Sequence, residues 1–137
     1  IMPSQGGVWL QGLSHVVSDE IEGYGGEGER IRVEAVPLDG LPELKGQPVT
    51  GLKIDVENFE HQVLLGAERL LRHDRPLVYC ELWDNVNRER SIALMQRLDY
   101  LVMVLNDDRL VHFRPESHSH QNFFFVPQEH PLAGSGK

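Results

Sequence analysis

Two spacings of apolar residues alternate along the chain, and residues 52–72 hold the clearest switch between them. Leu52, Ile54 and Val56 are bulky and apolar at every second position, as in a short strand buried inside a sheet. From Phe59 the period lengthens. Phe59, Val63, Leu64, Ala67, Leu70 and Leu71 fall at helical spacing and predict one amphipathic helix. Arg69 and Arg72 stand near its end, where cations suit the helix dipole. Upstream, Ile31, Val33 and Ala35 alternate with Arg32 and Glu34, which predicts a half-buried strand over 31–38. Asp39-Gly40 makes a turn, and Pro42 and Pro48 bracket a loop. Downstream, Pro76 opens a strand over 77–83 that Asp84 and Asn85 break. A helix over 87–98 follows, with Ile92, Leu94, Met95 and Leu98 on its inner face. Residues 100–105 predict another strand, 106–108 a turn, 109–113 a short strand and 122–126 the last strand.

The order strand, helix, strand, helix, strand describes an α/β chain. Crossover connections make the first three strands parallel neighbours, and the last, reached by a long loop without a helix, is expected to run antiparallel. Residues 1–30 fit this scheme less well. Val8-Trp9-Leu10 is a single short apolar piece, and 14–30 is polar, acidic and Gly-rich, as a surface loop is. Gly25, Gly26 and Gly28 lack the spacing of a dinucleotide fingerprint. Residues 128–137 read as a frayed tail.

A chain of 137 residues is expected to form a single domain. Its apolar runs are strand-sized, so no membrane partner is expected, and the first residues lack the pattern of a signal peptide. The net charge of −8 argues against a nucleic-acid partner. The compartment is expected to be the cytoplasm. Cys80, the one cysteine, lies in an apolar strand and reads as a small buried thiol.

Chemistry is expected where strands end. In open α/β sheets ligands bind at the carboxyl ends of strands, and Asp55 and Glu57 stand at the end of the first. The chain is expected to turn near Glu57, so that both carboxylates reach the rim. The structural alternative is that Asp55 bonds backbone donors in the loop and Glu57 caps the helix. Glu60 falls in the helix's first turn, where the dipole favours its charge. Lys53 either reaches a partner carboxylate or snorkels to the sheet edge. Glu81 and Trp83 end the next strand at the same rim, suited to an acceptor hydroxyl and to an apolar or stacking wall; Trp83 reads equally as core. Asp84, Asn85 and Asn87 are consistent with a helix start. His118-Ser-His120, with His112 nearby, lacks zinc-site spacing, so no metal is expected. No Gly-x-Ser-x-Gly elbow occurs.

Several ordered motifs together resemble a known family. Lys53-Ile54-Asp55-Val56-Glu57-Asn58 with Glu60, then Val63-Leu64 and Gly66-Ala67, then Pro76 and a strand carrying Glu81, look like the FkbM-type methyltransferases. Residues 36–39 match that family's short strand ending in Leu-Asp, and 122–127 its closing strand, so the resemblance runs from about Val33 to Pro127. It implies a Rossmann-like methyltransferase sheet, partial and mostly parallel with an antiparallel last strand. It also implies S-adenosylmethionine (SAM) as cofactor and O-methylation of a hydroxyl on a small molecule, a sugar or other secondary metabolite. Asp55 and Glu57 would then be catalytic, and Glu81 and Trp83 would bind substrate. The family's N-terminal half, with its Gly-rich loop at a helix start, finds no match before Val33. The chain is therefore expected to correspond to the C-terminal part of the domain. Two other readings stand beside this one. The first is a non-catalytic methyltransferase-like module, or a half-fold needing a partner chain, whose unpaired sheet edge would favour a homo-oligomer. The second is a carboxylate site for a divalent cation, without SAM.

Overall fold

Bulky residues at alternate positions need a partner strand on each side, and the chain supplies them in an order unlike that of its sequence. The computed structural model describes residues 33–136 and the backbone of three short strands before them, Met2–Gln5, Val8–Trp9 and Gly28–Glu29. Met2–Gln5 pairs antiparallel with each of the other two. The remaining expectations for residues 1–32 lie outside the described residues.

Five strands form the main sheet: β1 (Gly51–Ile54), β2 (Leu77–Glu81), β3 (Tyr100–Asn106), β4 (Arg109–His112) and β5 (Asn122–Pro127). Their spatial order is β1-β2-β5-β3-β4. The expected mostly parallel, Rossmann-like sheet is corrected by this order. Only β1 and β2 pair in parallel, while β2–β5, β5–β3 and β3–β4 are antiparallel. The cause is the insertion of β5. It returns without a crossover helix and enters between β2 and β3, where Phe123 and Phe125 are fully buried. Strands β1, β2 and β3 do share one direction, since β2 and β3 both oppose β5, but β2 and β3 are not neighbours. The β3–β4 hairpin turns through Asp107 and Asp108, both at positive φ (46° and 62°), the backbone of a two-residue type I′ turn.

Three helices connect the strands: α1 (Glu60–Leu65), α2 (Glu68–His73) and α3 (Val86–Arg97). They supply Leu64, Ala67, Leu71, Leu94, Met95 and Leu98 to one core with Ile54, Val78, Cys80, Val102, Phe123 and Phe125 of the sheet. The inner face expected of the second helical segment is present, with Ile92 partly buried.

The single helix expected after Phe59 is broken in two at Gly66. A Cβ on Gly66 would stand 3.2 Å from both Cα and Cβ of Pro37, so the preceding segment packs directly onto the break. There Asp39 N–H donates to the Gly66 carbonyl at 2.9 Å. The Asp39 carboxylate accepts the Arg69 and Leu70 N–H groups at 2.7 and 2.9 Å, capping α2 from 30 residues away. The Arg69 guanidinium in turn donates to the Asp39 carbonyl. Consequently the expected strand over 31–38 is absent from Val33 onward. Residues 33–37 are irregular, Val33 and Val36 are exposed, and a 3-10 turn, Leu38–Gly40, carries Asp39 to the helix.

Candidate functional site

Strand β1 ends at Ile54 and the chain turns at once. Glu57 and Asn58 take left-handed backbone angles, φ 51° and 73°, so Glu57 does not continue the strand's alternation. Asp55 still follows it. The parallel register pairs Lys53 with Tyr79 and Ile54 with Cys80, and Asp55 and Glu81 are the next residues along the two chains. Lys53 donates to Asp55 at 2.8 Å, which answers the question its place among apolar residues left open. That bond raises the Lys53 pKa, with the Asp55 charge and, more weakly, Tyr79 and Glu81 acting in the same sense. Glu57 is half-buried at the turn.

Glu60 is what holds this turn. Its side chain is buried, 3% exposed, and its Oε1 accepts the N–H groups of Val56 and Asn58, each at 3.2 Å. Burial raises its pKa against the pull of those bonds. Glu60 stands in the first turn of α1, as expected, and its carboxylate also folds back over the loop that precedes its helix.

The second rim loop follows β2. Glu81 and Trp83 are half-buried, Trp83 lying beyond the strand's end. Asn85 caps α3, its Oδ1 accepting N–H of Asn87 at 2.8 Å and of Arg88 at 3.4 Å. Arg88 is buried. Its guanidinium donates to the Leu82 carbonyl and, at 2.9 Å, to Asp84, and lies 5.4 Å from the centre of the Phe123 ring. The Asn85 and Asn87 side chains both reach Asn58 of the first loop, a contact that the reading of these residues as a mere helix start missed. Asparagines spaced two apart at the start of a helix were the available signal.

The loop before β5 completes the rim. Leu82 N–H donates to the Gln121 carbonyl at 2.7 Å, extending the β2–β5 ladder past Glu81. His118 accepts the Arg114 N–H at 3.0 Å and packs edge-on to His120. Among the described residues no group of three or more His, Cys, Asp or Glu side chains could hold a metal ion. A groove of about 660 Å³, lined by Leu38, Leu41, Pro42, Lys45, Leu70 and Asp74, lies at the opposite end of β1 and contains none of the expected site residues.

The electrostatics of the rim suit a cation. Burial pushes the Cys80 thiol pKa far up, and the charges of Glu60, Asp55 and Glu81 push it further. A sulfonium carries the charge opposite to that of these carboxylates.

These features define helices packed on a mostly antiparallel sheet, with acidic residues at the rim where its one parallel pair of strands ends. The family model described as Methyltransferase FkbM domain matches residues 5–120, and the chain belongs to that family. The match begins well before Val33, where the motif resemblance starts, and stops short of β5. No curated protein and no solved structure matches the chain. Membership implies SAM-dependent methyltransferase activity in general, with SAM as the family's cofactor and a small molecule as its substrate. No helix among the described residues is long and apolar enough to cross a membrane.

Proposed function

We propose that this chain transfers a methyl group from SAM to a hydroxyl oxygen of a small molecule, a sugar or other secondary metabolite. One observation carries the reading. Two adjacent parallel strands run to one rim with a carboxylate at each end: Asp55 directly follows β1, and Glu81 is the last residue of β2. When bound, SAM supplies a methyl group activated by its positive sulfonium. The chain's own work is to hold the acceptor oxygen in line and to remove its proton. Asp55 takes that proton on a carboxylate oxygen, and Glu57 adds negative charge at the same turn. Glu81 accepts a hydrogen bond from the acceptor, and Trp83 provides the apolar wall against which it lies.

The test is S-adenosylhomocysteine formation from SAM across a panel of sugars and small alcohols. Asp55→Ala is expected to lower turnover by about 100-fold or more, the scale of a lost general base. Its melting temperature should barely change, because the exposed Lys53–Asp55 pair contributes little to stability. Full turnover in that variant overturns the assignment. A wild-type chain that binds no SAM favours the non-catalytic reading.

A further inference from the structure

A turn with φ of 73° at its second residue needs no more than glycine, which takes that angle without strain. This chain has Asn58 there, and its side-chain oxygen is used twice. Its Oδ1 accepts hydrogen bonds from Asn85 Nδ2 at 2.8 Å and from Asn87 Nδ2 at 3.1 Å. Its backbone carbonyl accepts from Asn87 Nδ2 at 3.2 Å. Asn87 is 8% exposed, so its amide has little water to turn to. Asn85 is fixed independently, because its own Oδ1 caps α3. On the other side the Asn58 N–H is held by Glu60. Two consecutive non-glycine residues in left-handed conformation are disfavoured unless their surroundings over-determine them, and these bonds do so.

We propose that Asn58 is a positioning residue: its side-chain carbonyl clamps the turn bearing Asp55 and Glu57 to the loop bearing Trp83, and so sets the rate of methyl transfer. The proposal rests on the function proposed above. The clamp joins the side assigned to proton removal to the side assigned to the acceptor. Reaction rates respond steeply to such spacing, since a misplacement of about 1 Å can cost about 100-fold. Asn58 touches neither the reacting atoms nor SAM in this scheme; it acts through the loops it joins.

The experiment compares the full chain with Asn58→Gly and Asn58→Asp. Glycine keeps the backbone angle and deletes the acceptor. Aspartate restores an oxygen in the same place and tolerates the same angle. In Asn58→Gly, hydrogen exchange at the Asn87 and Arg88 backbone amides is expected to accelerate by about five- to tenfold. With SAM and the best acceptor from the panel, kcat should fall about tenfold while the Kd for SAM, read by calorimetry, stays within about twofold. Asn58→Asp should recover most of both losses. Unchanged exchange in the glycine variant overturns the clamp whatever the activity. Faster exchange with an unchanged kcat overturns the positioning role. A wild type inactive on every acceptor removes the reaction and with it the kinetic role, and the exchange data tell that failure apart from failure of the clamp.

Discussion

Glu60 shows how much a single buried carboxylate can organise. It gives up hydration to accept two backbone N–H groups, and those belong to the loop that carries the acidic pair. Glu60→Ala would leave both donors without their partner in a half-buried loop. A loss of about 1–2 kcal/mol in chemical denaturation is expected. Glu60→Gln, which keeps the acceptor oxygen, should lose less; equal loss from both would show that the two bonds carry no weight. The sign with pH follows from the direction of its shift. The folded pKa is raised above the ordinary value of 4.5, so the stabilising contribution of the protonated form is complete below that value and is lost as pH rises through the folded pKa. At this scale the sequence was only partly legible. Asp55 and Glu81 could be placed at a strand end because strands have a period of two. The backward reach of Glu60 and the meeting of Asn58 with Asn85 and Asn87 could not, because they depend on left-handed angles at Glu57 and Asn58 that no local pattern announces.

Among the elements, the break between α1 and α2 separates local preference from packing. The apolar spacing through residues 59–72 is continuous, so periodicity predicts one helix. Gly66 is helical in its own angles (φ −72°), and helix propensity alone would make Gly66→Ala stabilising by up to about 1 kcal/mol. Packing predicts the opposite. The new Cβ would press on Pro37, whose carbonyl accepts the Gly40 N–H within the turn held by Asp39. A loss of about 1 kcal/mol in thermal or urea denaturation is therefore expected; a gain would mean that the segment yields. Asp39→Ala removes the cap on Arg69 and Leu70 and should cost about 1–2 kcal/mol by the same measurement. Strands β2, β3 and β5 and helix α3 were legible to within two residues at each end, because each is long and patterned. The break was not, because its cause lies some 30 residues upstream.

Across the whole molecule, the end of the sheet away from the acidic rim is fastened by Arg75. Its guanidinium bonds the carbonyls of Leu98 and Asp99 and the Glu129 carboxylate, and lies 4.5 Å from the centre of the Tyr100 ring. Tyr100 in turn donates its hydroxyl to the Leu71 carbonyl, and burial lifts its pKa to about 12. Arg75 thus ties the segment before β2 to those before β3 and after β5. The Arg75 bond holds the Glu129 carboxyl down at about 2, below the ordinary 4.5. Its contribution is therefore complete above pH 4.5 and is lost as pH falls through about 2. The effect is modest because Glu129 is largely exposed. Thermal unfolding from pH 6 to pH 2 should show the Glu129→Gln variant losing less stability on acidification than the wild type; parallel curves would leave the pair without a role. The strand sequence predicted strands and helices but not the antiparallel pairings, since periodicity says which residues are buried and not which strand enters between which. That insertion also governs the chain's birth. As it leaves the ribosome, β1 through β4 are already free to form, yet β2 and β3 have no common neighbour until β5 emerges. The middle of the sheet is the last part to be made, and the nascent chain exposes the inner edges of both halves until then.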